Sequence, residues 1–244
     1  MTSLLPLFNT EVNVLSDVPN RYNMTMPEIN KKDYSIYQVV DPAGARNYTA
    51  IWAAVNNKGE VYILKEWPDR DTHGEWAIFG DPKWKYGPAS KKVGYNVEGY
   101  VKLFKEIEEE LGIEVFERIG DSRFFAKENE NNDDLFRSFA DYDMHFVPSD
   151  GRMEDIGISA LDEWFSYNPN LPIDYVNRPL CFIDKSCANL TDSLINYNSQ
   201  GKSDEALKDF FDVMRYLRMS NGGEGPDHIK NTDLHTTKKS KGGY

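Results

Sequence analysis

Three apolar runs lie close together early in the chain, over residues 35–40, 48–55 and 60–67. Their near-continuous hydrophobicity, rich in Val, Ile and aromatic residues, predicts buried strands. Asn56-Asn57-Lys58-Gly59 joins the second run to the third with residues that tolerate positive φ, so a hairpin and an antiparallel meander are expected. The period then changes. Val97, Tyr100, Val101, Phe104, Ile107 and Leu111 recur every three or four residues, and Gly112 stands where a C-terminal glycine cap belongs, which predicts an amphipathic helix. Beyond it the pattern predicts a strand over 113–120, a short helix over 133–140 and a strand over 144–148. A helix over 153–167 follows, with Ile156, Ile158, Leu161 and Phe165 inward, then a strand over 180–184 and a helix over 188–197. The last helix is expected to be capped by Ser203, with Asp204 and Glu205 in its first turn and Leu207, Phe210, Phe211, Met214 and Leu217 as its apolar face.

A three-strand meander followed by helix–strand alternation implies an α/β fold of the α+β kind: one mixed sheet with helices on its faces. Residues 1–33, rich in Pro, Asn and Asp, read as an irregular leader or linker remnant; 34–220 read as the folded domain and 221–244 as a flexible polar tail. Residues 68–96 carry no periodicity and read as a long functional loop.

Composition narrows the function classes. With 40% hydrophobic and 13% aromatic residues the chain has ample core. Its net charge of −12 disfavours autonomous high-affinity binding to nucleic acid, although local basic patches act over short range. Two cysteines, Cys181 and Cys187, are too few for a disulfide framework or a cysteine zinc site and read as small buried hydrophobes in a reducing compartment. No signal peptide and no run long enough to span a membrane are evident. His73, His145, His228 and His235 lack metal-ligand spacing, and neither a nucleophile elbow nor a phosphate-binding loop of the Gly-x-x-x-x-Gly-Lys type is present.

Acidic side chains at element ends carry the candidate chemistry. Asp41 closes the first strand and Asp121 the strand after the long helix, so the two come side by side if those strands are adjacent and parallel. Asp209, Asp212 and Tyr216 form a polar stripe on the last helix, with Asp212 about 160° from the middle of its apolar face. Each aspartate taken alone reads first as a turn-capping or solvated residue. Gathered at one point they would repel, and Mg²⁺ or Mn²⁺ relieves such repulsion through hard oxygen ligands.

The segment VVDPAGARNYTAIWAAVNNKGEVYILKEW resembles the opening of the C-terminal nuclease domain of viral large terminases, with Asn47-Tyr48-Thr49 matching a family step after the first acidic ligand. RIGDSRFFA and DEALKDFFDVMRYLRM are similar to that family's second and third motifs; Val213-Met214 replaces the usual small residue and its neighbour. The resemblance covers residues 35–220. It implies a ribonuclease H-like fold and cleavage of concatemeric double-stranded DNA with two Mg²⁺ or Mn²⁺ ions. Asp41, Asp121 and Asp212 would be the catalytic metal ligands and Asp209 a supporting one. It also implies a terminase ATPase domain or chain, a small terminase subunit and a portal as partners, in the cytoplasm of an infected host cell, with no membrane partner. For DNA contact the candidates are Lys83, Lys85, Lys91 and Lys92, interleaved with Trp84 and Tyr86, and Arg123; the basic tail (Lys238, Lys239, Lys241) is a further one. A junction resolvase or transposase-type nuclease, and a non-catalytic packaging-motor scaffold, are the alternatives compatible with the same residues.

Overall fold

The computed structural model describes residues 4–125, 133–149, 154–198 and 204–220. Short helix α1 (Thr10–Asn13) and strand β1 (Val14–Leu15) precede the meander β2 (Tyr34–Asp41), β3 (Thr49–Asn56) and β4 (Val61–Trp67). Next come α2 (Arg70–His73), a hairpin of β5 (Ala77–Gly80) and β6 (Lys83–Tyr86), and a 3-10 turn at Pro88–Ser90. Helix α3 (Val97–Leu111), strand β7 (Glu117–Gly120), helices α4 (Ser122–Phe125) and α5 (Asp133–Ala140), and strand β8 (Val147–Pro148) form the second half of the sheet. Helix α6 (Glu154–Trp164), strand β9 (Cys181–Asp184), helix α7 (Ala188–Asn196) and helix α8 (Glu205–Met219) complete it.

The sheet is mixed and seven-stranded, in the order β1-β9-β4-β3-β2-β7-β8. The meander pairs antiparallel as expected, and β2 and β7 run parallel and adjacent in the register Val39↔Ile119, Val40↔Gly120. Residues 1–33, read as a leader, contribute an edge: β1 pairs parallel with β9, and Leu5, Val12 and Leu15 are buried.

Alternation along β2 divides the core. Tyr37 and Val39 face the layer of α6, α7 and α8, while Val40 packs with Trp52, Tyr100 and Phe104 under α3 and α5. Helix α3 has the expected ends: Asn96 accepts from the Gly99 amide at its start, and Gly112 takes the left-handed conformation at φ 63°.

Four details differ from the sequence reading. Residues 68–96 are not structureless; strands of four residues with charged neighbours are too short for their period to stand out. That segment is pinned by Asn189, whose Nδ2 donates to the carbonyls of Pro68 (3.1 Å) and Gly74 (3.2 Å), and by fully buried Trp76. Ile156, expected in the core, is exposed. Helix α8 is buried on almost every side, because the sheet, α6, α7 and β6 surround it, so its acidic stripe is not a solvated face. The residue flanking its first turn is Asp204; Ser203 and the tail, with its lysines and His228 and His235, lie outside the described residues. Among the described residues, no helix is long and apolar enough to cross a membrane.

Candidate active site

Strand parity places the first two carboxylates. Ile119 shares the α8 face with Tyr37 and Val39, and two residues further along each strand stand Asp41 and Asp121. The Asp121 amide donates to the Val40 carbonyl at 3.3 Å, continuing the ladder, so the two residues sit on neighbouring strands, about 4.8 Å apart. Both are buried, with relative exposures of 7% and 1%.

Helix α8 brings the remaining pair to this edge. Asp41, Asp209 and Asp212 line one cleft of about 360 Å³ together with Arg46, Tyr86, Arg123 and Lys208. Burial holds the Asp41 carboxyl well above the usual carboxylate range, and the negative charges of Asp209, Asp121 and Asp212 push it in the same direction, opposed by Arg123. Asp209 is pushed up to about 6, chiefly by burial, against the lowering influence of Arg46. Four carboxylates thus act on one another across a single strand-end cleft.

Cations hold this charge in place. The Arg123 amide donates to Asp121 Oδ1 (2.8 Å) and its guanidinium donates twice to Oδ2, once at 2.7 Å. Arg215 donates to Asp212 Oδ1 from Nε (3.2 Å) and a terminal nitrogen (3.0 Å), and both side chains are buried. The stem of Arg215 lies over Gly157 of α6, where an added Cβ would come within 2.7 Å of it. Arg46 reaches Asp209 Oδ1 at 3.4 Å, and Tyr216 donates its hydroxyl to Asp121 Oδ2 at 3.1 Å.

Among the described residues, no three His, Cys, Asp or Glu side chains stand arranged as ready ligands of one metal ion. Arginine donors occupy oxygens of Asp121, Asp212 and Asp209 instead. The donor set nevertheless suits a hard cation. Asp209 Oδ2 is buried without a hydrogen-bond partner, and the nearby Tyr86 hydroxyl is directed at the Glu205 carbonyl at 3.3 Å.

Arg123 lines the cleft while bonded to Asp121. Lys83, Lys85, Lys91 and Lys92 are exposed and outside the cleft lining, and Lys92 Nζ donates to the Gly44 carbonyl at 2.8 Å. Period-2 alternation on β6 turns Trp84 and Tyr86, both half-buried, toward the core while the lysines face out, and Tyr86 also lines the cleft. Arg46 and Arg215 were not singled out from the sequence, and Tyr86 was named only as an aromatic interleaved with the loop lysines. Arg215 had a signal, three residues after Asp212 within the third motif, whereas Arg46 pairs with an aspartate distant in the chain and had none.

No protein family's sequence profile matches this chain, and no characterised protein matches it in sequence. Similarity emerges in three dimensions. The nuclease domain of the P22 large terminase superposes with a TM-score of 0.53 over 89% of this chain and 91% of that one, at 13% identity. The ADP complex of a large terminase from a thermophilic bacteriophage superposes with a TM-score of 0.55 over 88% of this chain at 13% identity, and the ATP-gamma-S complex of the same protein at 12%. The chain spans 43% of the length of that ADP-bound terminase. At such identities the likeness is one of fold: the chain has the ribonuclease H-like fold of the large terminase nuclease domain.

Proposed function

We propose that this chain is the nuclease of a viral DNA-packaging terminase, an endonuclease that hydrolyses phosphodiesters of concatemeric double-stranded DNA with two Mg²⁺ or Mn²⁺ ions. The observation that carries this reading is that Asp41, Asp209 and Asp212 line one cleft, with buried Asp121 beside Asp41 at the neighbouring parallel strand end. Divalent ions held by these carboxylates supply a Lewis acid and an activated water for in-line displacement. The protein's part is preorganisation. Strand ends fix Asp41 and Asp121, Tyr216 orients the Asp121 carboxylate, and buried α8 carries Asp212 on a rigid element. Arg123 and Arg215 keep the repelling carboxylates together while they lack a cation.

Lys83, Lys85, Lys91, Lys92 and Arg123 are proposed phosphate contacts outside or at the rim of the cleft. A terminase ATPase, a small subunit and a portal are the proposed partners, in the cytoplasm of an infected cell. The direct test incubates the chain and its Asp41→Asn variant with linear duplex DNA and Mn²⁺, with branched DNA as comparison. Cleavage of the linear duplex by the parent alone is the expected result. Equal cleavage by the variant would refute the assignment, and preference for branched DNA would favour a resolvase.

A further inference from the structure

Three guanidinium groups neutralise the acidic cleft, and they are not equally held. Arg123 and Arg215 each direct two guanidinium donors at their aspartates, and Arg215 is buried in doing so. Arg46 makes a single contact of 3.4 Å to Asp209 Oδ1, near the limit of a hydrogen bond, with its side chain 30% exposed. Its Nε is buried without an acceptor. What keeps the group in position is the Tyr86 ring, 4.2 Å below it.

The backbone beneath Arg46 is, by contrast, firmly fixed. Arg46 bridges Lys91, and Asn47 donates its amide to the Ser90 carbonyl (3.0 Å) and Nδ2 to the Ala89 carbonyl (2.9 Å). A loosely bonded planar cation on a rigid base, at the mouth of an acidic cleft and with unused donors, is built to change acceptors. Phosphate oxygens accept the guanidinium fork in the geometry that a single carboxylate oxygen at 3.4 Å does not satisfy.

We infer that Arg46 exchanges acceptors: it pairs with Asp209 in the free chain and moves to a backbone phosphate of the DNA when duplex enters the cleft, leaving Asp209 to the metal. This rests on the nuclease reading above and adds a positioning residue to it. Arg46 and metal ions then compete for Asp209, while Arg46 and DNA cooperate, so one substitution has opposite effects on the two ligands.

The test uses the full chain, Arg46→Gln and Arg46→Lys, with melting temperature as a fold check. Mn²⁺ is titrated calorimetrically without DNA, and a short fluorescein-labelled duplex is titrated in Ca²⁺ at several salt concentrations. Arg46→Gln is expected to bind Mn²⁺ about two- to fivefold more tightly, as loss of a partly exposed ion pair allows. Its dependence of log Kd on log salt is expected to fall by about 0.9, the value of one phosphate contact, and Arg46→Lys is expected to restore it. An unchanged salt slope in Arg46→Gln, or weaker Mn²⁺ binding, overturns the inference while leaving the nuclease reading intact. Failure of the parent chain to bind Mn²⁺ at all overturns both.

Discussion

The Tyr216 hydroxyl donates to Asp121 Oδ2 at 3.1 Å, joining the C-terminal part of α8 to the end of β7. The bond is buried, and Oδ2 also accepts from the Arg123 guanidinium. Tyr216 itself is pushed above the ordinary tyrosine range, by burial first and then by Asp212, Asp41 and Asp121, so it remains a donor at any working pH. Tyr216→Phe keeps the ring and removes that donor. The expected cost is about 1 kcal/mol of stability and roughly tenfold in single-turnover cleavage, read by urea denaturation and by a rapid-quench assay.

Asp41→Asn separates the demands of folding from those of catalysis. Without metal, the substitution removes a buried charge facing three others, and the variant should melt higher than the parent in EDTA, by roughly 2–4 °C per kcal/mol relieved. With Mn²⁺ the parent should gain stability and the variant should not. A thermal melt with and without Mn²⁺ reads both signs in one experiment.

Acidity should stabilise the metal-free chain. Asp209 rises from 3.8 to about 6 and Glu66 from 4.5 to about 8, both mainly through burial. A carboxyl whose folded value lies above its unfolded one binds more protons in the folded state. Stability is therefore greatest below about pH 4 for these groups and falls as pH rises toward about 6 for Asp209 and about 8 for Glu66. Glu66 accepts from the Asn189 (3.0 Å) and Leu190 (2.7 Å) amides at the start of α7. Melting in EDTA should decline between about pH 6 and 8, and Glu66→Gln should flatten that decline.

Gly157 sets the room for Arg215. A Cβ there meets the Arg215 side chain at 2.7 and 2.9 Å, so Gly157→Ala should shift the guanidinium away from Asp212. Overpacking of this kind costs about 1–3 kcal/mol, and Mn²⁺ affinity should change with it. Urea denaturation together with Mn²⁺ calorimetry measures both, and a variant indistinguishable from the parent would show that the contact is slack.

The meander, the long helix α3 and the last helix were legible because their periods are long and their ends marked: Asn-Lys-Gly between β3 and β4, Asn96 and Gly112 around α3. Boundaries were less so. The strand expected over 113–120 shortens to Glu117–Gly120, with residue 116 joined to the sheet only by its amide, which donates to the Ile36 carbonyl at 2.8 Å. The aspartates were legible as a set because they terminate elements whose order predicts the sheet. Arg46 was not, because it contributes through Asp209, far away in the chain, and the pairing of Arg215 with Asp212, although only three residues apart, was left unread.

The sequence by itself determined the elements, their order and which acidic residues end them, since periodicity and turn chemistry are local properties of the chain. Tertiary structure alone decided that β2 and β7 lie parallel in a register bringing Asp41 beside Asp121 and that α8 is enclosed rather than solvated. It also decided that Arg46, distant in the chain, pairs with Asp209. Those outcomes depend on through-space packing and on charge compensation within a buried cleft, and neither leaves a period in the sequence.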